Sequence, residues 1–138
     1  MVIELTKKLL SEEGYTCVFL SDNETISSKK RGVSPLLELI EQNKSLKGFA
    51  GADKVVGAGA AYLYAILCPD SLFASTISES AKRVLDRYGI NYSYGELVPY
   101  IINRIGDGAC PIEQAVRNSS SPQEALEDIK TALQRLRS

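Results

Sequence analysis

Lys47 to Pro69 reads K-G-F-A-G-A-D-K-V-V-G-A-G-A-A-Y-L-Y-A-I-L-C-P. From Val55 to Cys68 no charged residue interrupts it, and Gly57, Gly59, Ala60, Ala61 and Ala65 are mixed with Val, Leu, Ile and Tyr. Small and large apolar residues without a polar stripe describe a helix buried on nearly every side. The run falls short of the roughly 20 apolar residues that a bilayer span needs, so the helix belongs inside a layered soluble fold. Asp53 is expected to cap it, because its carboxylate can accept N–H bonds from a first turn and favours the positive end of the helix dipole. Pro69 ends it. Lys47 to Ala52, lying between polar punctuation and the cap, reads as a buried strand feeding straight into the helix.

Strands and helices alternate outward from this unit. Upstream, Val2, Ile3, Leu5, Leu9 and Leu10 recur at helical spacing ahead of Gly14. Tyr15 to Leu20 and Glu24 to Lys29 flank an Asp22-Asn23 turn, a hairpin with an exposed second strand. Ser34-Pro35 sets a cap and a first-turn proline for a short helix through Leu36, Leu37 and Ile40, ending near Asn43. Downstream, Leu72 to Ile77 is a second buried strand. Ser78 caps a helix whose Ala81, Val84, Leu85 and Tyr88 share a face and which Gly89 terminates.

Ile90 to Tyr94 is a third strand. Glu96 to Ile105 fits either a helix starting at Pro99 or a buried strand at Ile101-Ile102. A short helix runs from about Pro111 to Arg117, and Ser121-Pro122-Gln123-Glu124 is a capping box for a last helix packing through Leu126, Ile129, Leu133 and Leu136. The alternation predicts a mixed, mainly parallel sheet covered by helices on both faces, a three-layer α/β/α sandwich. A chain of 138 residues is enough for one such domain, spanning 1–138, and too short for two ordinary ones.

Hydrophobic residues at 44% and charged residues at 24% are globular values and argue against disorder. With 16 basic and 17 acidic side chains, the net charge of −1 gives no electrostatic reason to expect nucleic acid or an anionic membrane as partner. The run Lys29-Lys30-Arg31 reads as a solvated hairpin edge. Glu4, Lys7 and Lys8 break the first ten residues, so no signal-peptide core is present and a cytoplasmic location is expected. Cys17, Cys68 and Cys110 lie far apart, without a C-x-x-C pair. Histidine is absent, which removes the Ser-His-Asp triad and every His-containing zinc site.

Two helix starts carry the candidate chemistry. In open α/β folds, ligands bind beyond the carboxyl ends of strands, where helix N-termini point; Asp53 and Lys54 at such a point would orient a polar ligand, although a plain cap beside an exposed lysine also explains them. Gly57 and Gly59, each costing about 1 kcal/mol relative to alanine within a helix, imply close approach of a neighbouring backbone or a ligand, with close helix–sheet packing as the favoured explanation.

The second start is Cys110. As a cap residue its sulfur would face a positive helix end, the setting that makes a thiolate nucleophile, and Gly106, Asp107 and Gly108 before it let backbone approach an anion. Glu113 would meet the same site as a proton donor or acceptor, or complete a capping arrangement. Against this, a cysteine without a His partner is often a small buried hydrophobe. Cys17 and Cys68 read as core, and Tyr62, Tyr64, Tyr88, Tyr92, Tyr94 and Tyr100 as rings buried with wet hydroxyls.

The runs A-D-K-V-V-G-A-G-A-A at Ala52 to Ala61, L-V-P-Y-I-I-N-R at Leu97 to Arg104 and G-D-G-A-C-P-I-E-Q-A-V at Gly106 to Val116 resemble an uncharacterised prokaryotic family, a domain of unknown function with a cytidine deaminase-like fold. The resemblance covers nearly the whole chain. It implies the three-layer sandwich and a kinship with the accessory sulfurtransferase of formate dehydrogenases. Zinc deaminases carry H-A-E or C-A-E at one helix start and P-C-x-x-C at the next. Here Asp53-Lys54 and Cys110 to Glu113 stand near such starts without the zinc triad, so neither a metal nor another cofactor is expected. The expectation is a deaminase-like domain whose cleft takes a small anionic or nucleotide-like metabolite. The alternatives are a Cys110-dependent group-transfer enzyme and a non-catalytic interaction module or homo-oligomer.

Overall fold

The computed structural model describes residues 2–102, 108 and 110–137. Helix α1 (Val2–Glu12) leads into the hairpin β1 (Cys17–Leu20) and β2 (Thr25–Ser28), then α2 (Ser34–Glu41), β3 (Ala50–Val56), α3 (Ala58–Leu67) and β4 (Ser71–Ser78). Helix α4 (Glu79–Arg87), β5 (Tyr92–Val98), α5 (Pro111–Ala115) and α6 (Pro122–Arg137) follow. The five strands form one sheet in the order β2-β1-β3-β4-β5. β1 is antiparallel to β2 and β3, whereas β3, β4 and β5 run parallel.

Helices lie on both faces, as the alternation predicts. On one face Leu10 of α1 packs with Val18, Leu20 and Ala52, joined by Leu9, Tyr15 and Phe73. The larger core lies on the other face, where α2, α3, α4 and α6 cover Phe19, Leu72 and Ala74. α3 is the element its composition describes: Ala60, Ala61, Leu63, Tyr64 and Leu67 are all buried. It stops at Leu67, where Cys68 takes a left-handed conformation at φ 57° and donates its N–H to the Tyr64 carbonyl at 2.8 Å. Cys68 is thus a half-buried turn residue rather than a core one, and Cys17 is buried as expected.

The start of α3 differs from the sequence reading. Asp53 does not cap it; β3 continues through Asp53 and Lys54 to Val56, and Gly57 is the cap residue. Backbone pairing on two sides decides this. Asp53 faces Cys17 across the antiparallel ladder and Ala74 across the parallel one, and the β-branched Val55 and Val56 continue against Thr76 and Ile77.

Between those rows the ladders skip Lys54, Ser75 and Gly95. A Cβ on Gly95 would sit 2.9 Å from the Ser75 carbonyl oxygen, so only glycine allows the strands this approach. Ala74 and Ile77, three apart, both enter the α3-side core, which a regular period of two forbids. The irregular row therefore switches faces, leaving Asp53 toward α3 while Lys54 and Val55 are both exposed.

Smaller corrections follow the same logic. Val33, not Ser34, is the cap residue of α2, with Pro35 in the first turn. The third parallel strand runs to Val98, beyond the Tyr94 limit expected, because it pairs with β4 as far as Ser78. Among the described residues no helix begins at Pro99. Leu136 is 60% exposed, so α6 packs through Leu126 and Ile129 while its last turn leaves the core. Ser121 does cap α6, accepting the Glu124 N–H at 3.1 Å. Among the described residues no helix is long and apolar enough to cross a membrane.

Candidate functional site

The carboxyl ends of β3 and β4 deliver the chain into α3 and α4, so two helix N-termini converge at one end of the sheet. A helix start leaves N–H groups without intrahelical acceptors, and Gly57 has no side chain to offer. Glu113 supplies one from α5: its Oε2 accepts the Ala58 N–H at 2.9 Å across 55 positions of sequence. Ser78 caps α4 by accepting the Ala81 N–H at 3.1 Å and donates its own hydroxyl to Glu113 Oε2. The Ser80 hydroxyl donates to the same oxygen at 3.0 Å, and the Ile101 N–H donates to Oε1 at 2.7 Å.

Four donors meet a group with about four acceptor sites. Glu113 performs in trans the capping expected of Asp53, with three donors on Oε2 and the Ile101 N–H on Oε1. Gly57 and Gly59 are explained by the same docking. A Cβ on Gly57 would come within 3.1 Å of Ile101 Cγ1 and 3.2 Å of Glu113 Oε2, and one on Gly59 within 2.7 Å of Ile112 Cγ2. These glycines admit α5 and the Ile101 segment, rather than the sheet.

Beside this junction lies a cavity of about 790 Å³ bounded by β1, β3, α2, α3, α5 and α6. Its lining brings together Asp53, Lys54, Gly57, Cys110 and Glu113, five of the residues picked from sequence, although no local pattern joins the two halves of that set. Val33, Leu36, Ile112 and Leu133 make the walls apolar. Gly106 and Asp107 lie outside the described residues, and Gly108 sits in a bend.

Asp53 is the polar centre of the cavity. Tyr64 donates its hydroxyl to Oδ2 at 2.7 Å, and the Val55 N–H approaches Oδ1 at 3.3 Å. Burial dominates these bonds and pushes the carboxyl up to about 7. Burial, with Asp53 opposite in register, also pushes the Cys17 thiol upward, and burial with Asp53 and Cys17 does the same to the Tyr64 phenol. Cys17 and Tyr64 are therefore neutral neighbours, and the carboxyl alone among the three titrates near neutrality. Tyr64 departs from the buried ring with a wet hydroxyl that its sequence suggests, since its hydroxyl is spent on Asp53. The signal that distinguishes it is its place within a helix buried all round, where a phenolic hydroxyl must find a partner.

Cys110 occupies the cap position of α5, at φ −60° and ψ 127°, without a side-chain cap bond. Its N–H is held by the Ile101 carbonyl at 2.8 Å and its carbonyl by the Gln114 N–H at 3.1 Å. α5 has only five residues, so few peptide dipoles are aligned toward the sulfur. Among the described residues no three His, Cys, Asp or Glu side chains are grouped to hold a metal ion.

Residues 5–133 match the family TM1506, a domain of unknown function (DUF1893). The chain belongs to the DUF1893 family. A DUF1893 family protein (TM1506) from Thermotoga maritima, known from a crystal structure, is 28% identical, over 97% of this chain and 89% of its own, with a TM-score of 0.85. No curated protein matches the chain. The DUF1893 match takes in every residue of the Glu113 junction and the lining of the Asp53 cavity as far as Leu133.

Proposed function

We propose that this DUF1893 chain binds a small, nucleotide-like metabolite in the Asp53 cavity, with an apolar or aromatic body between α2 and α6, a polar edge at Asp53, and an anionic group toward Arg31 and Lys54 at the rim. One observation carries the reading: an apolar-walled cavity of about 790 Å³ converges on a carboxyl held near 7 by burial. Concave apolar sites with a few convergent polar groups and a displaced titration are where ligands bind.

The sheet order and the helices on both faces are compatible with the cytidine deaminase-like architecture that the sequence resemblance implies. Zinc deaminases carry their ligands at two such helix starts. Here the corresponding donors of α3 and α4 point at Glu113, which supports a use of the cleft other than hydrolytic deamination at zinc. A thermal-shift panel of nucleotides, nucleosides and small acids tests the reading. A stabilising compound whose effect is lost in Asp53→Asn and weakened in Lys54→Ala supports it, and a panel without a hit rejects it.

Cys110 on the same cavity wall favours one second reading, sulfurtransferase-like group transfer. Intact-mass spectra after incubation with a persulfide donor should then show added sulfur on Cys110 and none in Cys110→Ser.

A further inference from the structure

The two carboxylates lining the cavity differ in what they leave for a ligand. Glu113 is engaged by four donors, Ala58, Ser78 and Ser80 on Oε2 and Ile101 on Oε1. Among the described residues Asp53 takes one hydrogen bond on each oxygen, from the Tyr64 hydroxyl on Oδ2 and the Val55 N–H on Oδ1, while the adjacent Lys54 N–H is bonded to the Thr16 carbonyl. With about two acceptor sites per carboxylate oxygen, these bonds leave one position on each. No Lys or Arg among the described residues is ion-paired with it. Among the described residues the groups that face it are neutral: Cys17 from β1, Tyr64 from α3 and Ala74 from β4. α2 and α6 present the apolar Leu36 and Leu133, and α5 presents Glu113, held by its four donors, with Cys110. The cations Arg31 and Lys54 are exposed at the rim.

A carboxylate with one open position on each oxygen matches a planar pair of N–H donors, and charge-assisted bidentate pairs of this kind are the strong ones. We propose that the cavity's ligand is a planar cation of the amidine class, whose two N–H groups are held bidentately by Asp53. This rests on the cavity being a small-molecule site and names the chemistry of the ligand's buried end. Arg31 and Lys54 favour an anionic group on its outer end, so the ligand is dipolar along its length.

The binding step carries a proton balance. Where Asp53 is protonated, an amidinium forms the pair only as the carboxyl releases its proton to solvent. With the carboxyl at about 7, the affinity for a cation that stays charged rises about tenfold between pH 6 and pH 8.

The probes are benzamidine, benzamide and benzoate, three isosteric aryl compounds with cationic, neutral and anionic heads, titrated into isotopically labelled protein and followed by amide chemical shifts. Benzamidine is expected to move the amides of Cys17, Val55 and Gly59 and to bind about tenfold tighter at pH 8 than at pH 6, while benzoate binds least. Asp53→Asn should abolish the pH dependence. Benzoate or benzamide matching benzamidine at the same amides overturns the amidine proposal and leaves the metabolite reading standing. Benzamidine binding that is independent of pH in the unaltered protein overturns the Asp53 pairing, whether or not the variant folds. Failure of all three probes at millimolar concentration overturns both.

Discussion

Replacing Glu113 with alanine should be among the most damaging single substitutions in this chain, although the residue is only half-buried and lies on a five-residue helix. The variant removes the acceptor for the Ala58 and Ile101 N–H groups and for the Ser78 and Ser80 hydroxyls. The hydroxyls can rotate toward one another, since their oxygens are already 3.2 Å apart; the two backbone groups are fixed. An unsatisfied buried donor costs about 1–3 kcal/mol, and partial access of water trims the sum over two groups to about 2–4 kcal/mol. For a chain of this length that lowers Tm by about 6–16 °C.

Glu113→Gln, which keeps one acceptor oxygen, should lose about half as much. Thermal unfolding by circular dichroism, with urea titration as a second measure, reads both. A Glu113→Ala variant melting within about 3 °C of the unaltered protein, less than 1 kcal/mol, would refute the trans-capping argument. It would mean that the N-termini of α3 and α4 hold without the carboxylate.

Two further outcomes follow from the same geometry. Gly59→Ala should destabilise by about 1–3 kcal/mol in urea titration, despite alanine's better helix propensity, because its Cβ would meet Ile112 Cγ2 at 2.7 Å. Asp53 binds its proton more tightly in the folded chain, at about 7 against an ordinary 3.8, so its contribution is full below the lower value and is lost as pH rises through the upper one. Stability should therefore fall by roughly 2–4 kcal/mol between pH 4 and pH 8 on account of this group. Asp53→Asn should flatten that slope in chemical denaturation, and an unchanged slope would show that the carboxyl titrates normally.

Much of the architecture is legible locally. The hairpin, the Ser78 cap of α4, the Ser121 cap of α6 and the helix stops at Gly14 and Gly89 all depend on residues within a few positions of one another. The misplacement of Asp53 has the opposite origin. Its short polar side chain is a good cap in isolation, and nothing nearby reveals that Cys17 and Ala74 flank it in the sheet. The site was half legible for the same reason. Asp53, Cys110 and Glu113 stand out as polar residues near helix starts, but Tyr64 gains its meaning only once a fully buried helix aims its hydroxyl at Asp53.

The α/β/α layering is written locally in the chain, because hydrophobic period, small-residue composition and cap chemistry are properties that each segment carries with it. Tertiary structure alone decided which carboxylate does what. Glu113 reaches a junction 55 positions away and collects four donors there, while Asp53, pinned between two strands and beneath α3, takes one hydrogen bond on each oxygen from the described residues and sits near neutrality. Hydrogen-bond capacity and desolvation depend on what surrounds a group in space, and no run of adjacent residues encodes that.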